Sequence, residues 1–197
     1  MSYVKNLVDL ISVKKEYLVV DTETSGLKGE IVELTVIKYF TGTQDPIVLF
    51  DSKIKPKNPI DPLSTKIHHI TDSLVENNQT WPEIRNFILE LTQGQIVLAY
   101  NALFDRKAFH RSDRAWGLEK FDWKKHSEWR CIMLAVGDLL SLDPKIKWFK
   151  LFIAAEMLGI PREDLTLHSS QGDTILAGRV MKFILDFFKG KVNIPLH

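Results

Sequence analysis

The first third of the chain alternates apolar and polar residues in a way that predicts strands. Residues 17–21 are a short apolar run rich in β-branched side chains, and residues 30–40 and 46–54 continue this character. Turn-forming residues separate the runs, with Ser25 and Gly26 after the first and Gly42 after the second. Short connections of this kind join antiparallel neighbours, so the pattern predicts a three-stranded antiparallel meander.

Helical spacing dominates the rest of the chain. Before the first strand, apolar residues recur every three or four positions, at Val4, Leu7, Val8 and Ile11. Ser64 or Thr65 is expected to cap a short helix, and Thr71 or Asp72 another. The remaining predicted elements are a helix that opens at Trp81 and closes at Gly94, a strand over residues 96–100, a helix from an Asn101 cap to about Trp116, and helices over residues 131–142, 149–158 and 173–188. This order predicts one mixed α/β domain over residues 1–197.

Composition limits the class of partner. A chain of 197 residues with 45% hydrophobic and 26% charged residues is typical of a soluble globular domain. The net charge of +1 argues against a protein that grips long duplexes through many phosphates, so a nucleic-acid partner would be a short stretch or a strand end. The single cysteine, Cys131, excludes an internal disulfide and a zinc cluster and favours a reducing compartment, the cytoplasm. No apolar run is long enough to cross a bilayer, so no membrane partner is expected.

Two carboxylates interrupt the end of the first predicted strand. Asp21 ends the apolar run and Glu23 follows two residues later, so an extended chain projects both side chains from the same face. Like charges this close repel each other unless a cation lies between them, and carboxylate oxygens are ligands that magnesium takes. The pair therefore indicates a divalent-cation site, although the same two residues could simply begin a polar turn.

Two further acids stand on apolar helical stripes. Asp105 is in phase with Ala108, and Asp173 begins a stripe that continues at Leu176. A buried charge needs a partner, whereas an acid in the first turn of a helix can also be explained by the helix dipole alone. His168, five residues before Asp173, lies in a polar loop, where it is either solvated or a general base for the acid cluster. Together the four acids suggest a phosphodiesterase that uses two cations.

Three segments that carry these residues resemble, in order, the three exonuclease motifs of the DnaQ-like exonucleases. The segments are residues 21–27 (DTETSGL), 100–105 (YNALFD) and 168–173 (HSSQGD). A histidine five residues before the last acid is typical of the DEDDh subgroup, which the chain resembles in this respect. Residues 62–71 are similar to the family's His-Gly-Ile-Thr segment, with His69 in the glycine position. The resemblance covers residues 17–188, the expected core of the domain. The family includes the proofreading subunit of bacterial DNA polymerase III.

This resemblance implies a ribonuclease H-like α/β fold, with a mixed sheet flanked by helices, and a metal-dependent 3′→5′ exonuclease activity. It implies two divalent cations, Mg²⁺ or Mn²⁺, with Asp21 as the ligand that bridges both. Glu23 and Asp173 would complete one cation site, and Asp105 would hold the second cation partly through water. His168 would deprotonate the attacking water.

The family pattern also implies a pocket for the terminal nucleotide, lined by Thr24, Leu27, Ile67, His68, Asn101 and Phe104. Leu27, Ile67 and Phe104 could instead be plain core residues. The chain departs from the family pattern at His69 and in the loop formed by Ser169, Ser170 and Gln171. Neither departure removes a catalytic group, but both bear on loop shape and therefore on substrate preference.

The substrate and the partners stay open on sequence grounds. Single-stranded DNA is favoured, with RNA or short oligoribonucleotides as the alternative, because no sequence feature reports contacts to the 2′-hydroxyl. A separate polymerase chain is a candidate partner. A non-catalytic binding module is the rival class, but it predicts the loss of a metal-binding acid and none is lost. Basic and aromatic residues alternate over residues 106–130, where they could stack bases and track phosphates or simply form a charged surface over an aromatic core.

Overall fold

The structure is a computed structural model that describes residues 2–140 and 149–195. In this part of the chain, five strands form one sheet in the order β3-β2-β1-β4-β5. The strands are β1 (Glu16–Thr24), β2 (Ile31–Phe40), β3 (Ile47–Lys53), β4 (Ile96–Ala99) and β5 (Glu128–Cys131). The helices are α1 (Tyr3–Lys14), α2 (Pro62–His68), α3 (Asp72–Val75), α4 (Trp81–Thr92), α5 (Ala102–Ala115), α6 (Trp123–His126), α7 (Ile132–Leu139), α8 (Leu151–Met157) and α9 (Ser170–Phe188).

The sheet combines an antiparallel half with a parallel half. β1 pairs antiparallel with β2, and β2 pairs antiparallel with β3, which confirms the predicted meander. β4 pairs parallel with both β1 and β5, so the carboxyl ends of these three strands lie at one edge of the sheet. The β1–β2 register shifts between Glu23 and Thr24, a bulge that re-aims the end of β1 at this edge.

Helices cover both faces of the sheet because the side chains of β1 alternate between two buried clusters. Tyr17 and Val19 pack with residues of α1, α7, α8 and α9 on one face. Leu18 and Val20 pack with residues of α4, α5 and α6 on the other. Each such side chain contributes about 1.5–3 kcal/mol when it is fully buried, so both helical layers are tied to the same central strand. The predicted mixed α/β architecture is confirmed.

A buried carboxylate ties three helices together on the α5 face. Asp113 of α5 is 3% exposed and accepts hydrogen bonds from the indole nitrogens of Trp81 and Trp123, each at 2.8 Å. The Arg85 Nε donates to the same carboxylate at 2.7 Å. Because three donors from α4 and α6 bind both of its oxygens, this charge is compensated inside the core and fixes the register of α5 against its neighbours.

Two sequence expectations need correction. The first short helix is capped by Asp61, whose side chain accepts from the Leu63 amide at 2.8 Å, and not by Ser64 or Thr65. Pro62 at the first helical position favours this earlier start, since its missing N–H is not needed there. Thr71 does cap the next helix, as expected. The helix predicted over residues 131–142 spans only Ile132–Leu139, and residues 141 and 142 lie outside the described residues.

The sequence pattern predicted neither helix α6 nor strand β5. The strand has only four residues, in which Glu128 and Arg130 alternate with Trp129 and Cys131 at the edge of the sheet. Four residues are too few for a period-two signal to stand out from a charged turn. The strand forms because its backbone pairs with β4 over its whole length, a tertiary contact that local sequence does not report.

His69 ends α2 in a conformation that favours glycine. Its φ is 60° and its ψ is 14°, and its amide donates to the Thr65 carbonyl at 2.8 Å. A residue with a Cβ pays about 1–2 kcal/mol in the left-handed region, whereas glycine does not. This geometry gives a physical reason for the glycine of the resembling segment, and shows that this chain accepts a strained histidine there.

We expect His69→Gly to stabilise the protein by about 0.5–1 kcal/mol, because relief of the left-handed strain exceeds the backbone entropy that glycine loses. Urea denaturation followed by circular dichroism measures the change. His69→Ala, which keeps a Cβ, is the matched control and should give no such gain. An unchanged or lower denaturation midpoint for His69→Gly would contradict the strain argument.

Candidate active site

Three carboxylates from two elements meet on the α9 side of the sheet. Asp21 and Glu23 project from the same face near the end of β1, and Asp173 reaches them from the first turn of α9. Each of the three offers an oxygen within 4.8 Å of the others, and each side chain is partly buried. Carboxylate oxygens at this spacing could hold a divalent cation.

Asp105 approaches from the opposite side of the sheet, in the first turn of α5. It is 3% exposed, and its Oδ1 accepts a hydrogen bond from the Thr22 hydroxyl at 2.9 Å. Thr22 lies between Asp21 and Glu23 on β1, so its side chain points to the other face and ties α5 to the same strand. Asp105 stands outside the group of three, but it is close enough to act electrostatically on Asp21.

Burial raises the pKa of all four carboxyl groups, and repulsion from neighbouring acids raises that of Asp21 and Glu23 further. Burial raises the pKa of Asp21 well above its usual value, and the nearby Asp105 and Asp173 raise it further. For Glu23, burial followed by the charge of Asp173 raises the pKa to about 8. Burial also raises the pKa of Asp105 to about 7 and that of Asp173 to about 6. The site therefore favours protons or a cation over four free negative charges.

His168 lies in the loop that leads into α9. Its side chain is exposed and its φ is 61°, again in the left-handed region. The loop is held against the helix, because the Ser169 hydroxyl donates to the Thr166 carbonyl at 2.8 Å and accepts from the Gly172 amide at 3.1 Å. A Cβ on Gly172 would lie 2.0 Å from the Thr166 carbonyl oxygen, so only glycine permits this close approach.

Strand β2 contributes two polar residues that sequence reasoning missed. Glu33 lies opposite Glu23 and is 6% exposed; it accepts from the Ser170 amide at 2.8 Å and from the Lys53 ammonium at 2.7 Å. Thr35, which is fully buried, is hydrogen-bonded to the Ser170 hydroxyl at 2.7 Å. An acid and a threonine two residues apart inside the apolar run IVELTVI were the available signal.

These contacts explain the polar loop in which this chain departs from the family pattern. Ser170, the first residue of α9, is buried between Glu33 and Thr35 of β2. Gln171 donates to Asp51 of β3 at 2.8 Å, and Thr35 donates to the same carboxylate. The polar side chains of the loop thus match polar partners on the sheet, and they fix the end of α9 that carries Asp173.

His68 uses both ring nitrogens on backbone groups. Its Nδ1 accepts from the Ile70 amide at 3.0 Å, so its Nε2 carries the hydrogen and donates to the Thr24 carbonyl at 3.2 Å. Burial lowers the pKa of His68, which favours this neutral form. The side chain is 7% exposed, and its bond to Thr24 holds the end of β1.

The other residues predicted for the nucleotide pocket are more open. Leu27 is 80% exposed and Ile67 is 55% exposed, so neither is a core residue. Phe104 is partly buried, with the Arg111 guanidinium 5.3 Å from its ring centre. Leu27, Asn101 and Phe104 line one cavity of about 560 Å³, whose lining does not include Ile67 or His68. The predicted pocket residues therefore fall into two groups, since Leu27, Asn101 and Phe104 share a cavity while Thr24 contacts His68, the residue after Ile67.

A mixed sheet with an antiparallel meander, helices on both faces and an acid group at the end of its central strand is the arrangement of the ribonuclease H-like fold. Residues 18–174 match the family described as Exonuclease (RNase_T). The chain belongs to this family and is a DnaQ-like 3′→5′ exonuclease by its motifs and relatives.

Two relatives illustrate the range of the family. The chain is 29% identical over 151 residues to the protein named uncharacterized exonuclease CP81 of Escherichia phage 186, across 73% of this chain and 75% of that protein. It is 35% identical over 88 residues to DNA polymerase III subunit epsilon of Treponema pallidum, across 43% of this chain and 40% of that protein. The second match spans less than half of either protein.

Two solved structures share the fold. A structure of exonuclease X in complex with 5′ overhanging duplex DNA superposes with a TM-score of 0.62 and 22% identity, over 88% of this chain and 93% of that one. A structure of a 3′-exonuclease that recognises a histone mRNA stem-loop gives a TM-score of 0.70 and 17% identity, over 97% of this chain and 74% of that one. Among the described residues, no helix combines the length and apolar character needed to span a bilayer.

The raised pKa values predict that the metal-free protein loses stability as pH rises. The pKa of Glu23 is 4.5 in the unfolded chain and about 8 in the folded one, so between these values the folded state binds more protons. The free energy of unfolding in EDTA should therefore fall by about 1–3 kcal/mol from about pH 5 to about pH 8. Urea denaturation at a series of pH values measures it.

Glu23→Gln is the control, since it removes one titrating group and should flatten this pH dependence. Magnesium should also flatten it, because a bound cation replaces the protons at the acids. Equal slopes with EDTA, with magnesium and in the Glu23→Gln protein would contradict the electrostatic account.

We expect Thr35→Val to lower the free energy of unfolding by about 1–3 kcal/mol. The change keeps the shape of the side chain but leaves the buried Ser170 hydroxyl without its partner. Thermal unfolding by differential scanning calorimetry measures this loss. The double variant Thr35→Val/Ser170→Ala removes both polar groups and should recover part of the stability; no recovery would show that the two side chains do not act as a pair.

Proposed function

We propose that this protein removes nucleoside monophosphates from the 3′ end of single-stranded DNA by hydrolysis that depends on two divalent cations. The observation that carries the proposal is the convergence of acids from β1, α5 and α9 around Asp21. Besides burial, neighbouring acids raise the pKa of Asp21 and Glu23, whereas His168 acts only on Asp173 and Arg111 on Asp105. An acid cluster of this kind is adapted to bind cations rather than to stabilise the fold.

The residues present fit Mg²⁺ or Mn²⁺, which both prefer oxygen ligands. Asp21, Glu23 and Asp173 would hold one cation, and Asp105 with Asp21 would hold the second. Bound cations supply charge neutralisation at the scissile phosphate and lower the pKa of the attacking water. Without them, the four acids would repel the phosphate of the substrate.

His168 is the proposed general base. It lies five residues before Asp173, on the loop that packs against the start of α9, and its imidazole is exposed to solvent. An imidazole can accept a proton from water near neutral pH and return it to solvent. Its left-handed backbone is held by the Ser169 hydrogen bonds and by the close packing at Gly172.

The terminal nucleotide is proposed to bind between the two groups of pocket residues. The Thr24 backbone, held by His68, would contact the sugar, and Leu27, Ile67 and Phe104 would contact the base. Asn101 would lie at the edge of the same cavity as Leu27 and Phe104. Exposed apolar side chains next to an acid cluster are otherwise costly, so a nucleoside is a reasonable occupant.

DNA is favoured over RNA because relatives and one structural neighbour are named for DNA, although another neighbour is named for an mRNA stem-loop. The near-neutral charge fits the end of a single strand. A relative named as a polymerase subunit makes a separate polymerase chain a candidate partner.

The decisive experiment follows 5′-labelled single strands of DNA and of RNA with magnesium, with manganese and with EDTA. We expect a ladder that shortens from the 3′ end, faster on DNA, and no reaction in EDTA. Asp21→Asn should lower the rate by more than about 100-fold, because it removes a direct ligand while keeping the side-chain shape.

The matched control is Asp9→Asn, which makes the same chemical change on the exposed surface of α1 and should keep full activity. Undiminished cleavage by Asp21→Asn would reject the cation assignment. Faster cleavage of RNA than of DNA would identify RNA as the preferred substrate. No cleavage of either strand would favour a non-catalytic binding module.

A further inference from the structure

A basic stripe runs along the exposed face of α5. Lys107, His110, Arg111 and Arg114 recur at the spacing that places side chains on one side of a helix. The opposite side of the helix is buried, through residues such as Phe109. Lys107 and Arg114 are exposed, and seven residues of helix separate them by about 10 Å. A strand of nucleic acid could contact both ends of the stripe with neighbouring phosphates.

Lys107 and Arg114, the two exposed charges of this stripe, form no ion pair within residues 2–140 and 149–195, whereas Arg111 interacts electrostatically with Asp105. The ion pairs found there involve other cations, and none includes Lys28, Lys107 or Arg114. Arg111 is partly used, since it donates to the Leu27 carbonyl at 2.9 Å. Because the whole chain carries a net charge of only +1, this is a local concentration of positive charge that attracts anions.

The stripe forms one wall of the 560 Å³ cavity that also contains Leu27, Asn101 and Phe104. Lys28 adds a further cation, and Leu103, which is 45% exposed, adds apolar surface. Unpaired cations beside exposed apolar side chains match a single strand, which offers phosphates to the first and base faces to the second. An inorganic anion would use only the cations.

One end of the cavity lies near Asp105, since its lining residue Arg111 interacts electrostatically with that acid. Asn101 and Phe104 also line the cavity, and Asp105 follows Phe104 in the first turn of α5. In the other direction it adjoins a cavity of about 520 Å³ that shares Lys28 and Arg114 but also includes Asp61. The positive wall therefore extends along α5 from near Asp105 and ends where acidic side chains begin.

We propose that this α5 groove, lined by Lys28, Lys107, Arg111 and Arg114, binds the sugar-phosphate backbone of the strand whose 3′ end enters the acid cluster. The inference rests on the proposed function and adds the site that holds the strand beyond its terminal nucleotide. It also assigns separate roles to the basic and the aromatic residues of the segment over residues 106–130. Trp123 and Trp129 pack in the core, whereas the basic residues of α5 line the groove.

The test measures binding of a fluorescein-labelled single-stranded DNA by anisotropy in EDTA, where no turnover is expected, over a series of salt concentrations. Lys107→Gln/Arg114→Gln should weaken binding about tenfold at low salt. It should also reduce the slope of log K against log salt by about 1.4, or about 0.7 for each lost phosphate contact. Arg111 is left intact because it also contacts the Leu27 backbone.

Two control variants distinguish a loss of binding at the groove from a general effect of lost charge or of misfolding. Lys107→Arg/Arg114→Lys keeps both charges and should bind within about twofold of the wild type. Lys5→Gln/Lys14→Gln removes two exposed lysines from α1, on the other face of the sheet, and should also retain binding. Unchanged affinity and salt slope in the Lys107→Gln/Arg114→Gln protein would overturn the proposal, as would an equal loss in the α1 variant.

The outcome is independent of catalysis. Wild-type protein is assayed in parallel with magnesium on the p-nitrophenyl ester of thymidine 5′-monophosphate, which has a phosphodiester but no further strand. Failure to hydrolyse this ester and the labelled strands would reject the proposed function, while the anisotropy measurement would still decide whether the groove binds DNA.

Discussion

Mutual repulsion among four carboxylates is the constraint on which the rest of this structure depends. Asp21, Glu23, Asp105 and Asp173 come from three elements, and each would be more stable farther from the others. The fold holds them together with contacts that lie outside the cluster itself. The cluster therefore binds protons or cations favourably, and the free energy of the surrounding packing keeps the four acids together.

The contacts that resist this repulsion differ on the two faces of the sheet. On the α9 face, buried Glu33 and Thr35 hold the first residue of the helix that carries Asp173. On the α5 face, the Thr22 hydroxyl holds Asp105 directly. Because β1 and β2 provide these anchors, the central strands position both helices, and a shift of either strand would move acids on both sides at once.

Much of this arrangement could be predicted from the sequence because its signals are local. The meander and most helices follow from hydrophobic periodicity and from caps such as Thr71. The resemblance indicated the mixed sheet that the structure confirms. Strand β5 and the Asp61 cap were missed, since the first depends on pairing with β4 and the second on a proline that moves the helix start. Glu33 was missed because its partners lie 20 and 137 residues away.

The cluster around Asp113 has an optical consequence. Two of the five tryptophans of the chain donate their indole N–H groups to this one buried carboxylate, and both pack against Phe109 of α5. The excited state of indole is sensitive to nearby charge and to hydrogen bonding. The intrinsic fluorescence of Trp81 and Trp123 is therefore a built-in reporter of the position of α5, readable without any attached dye.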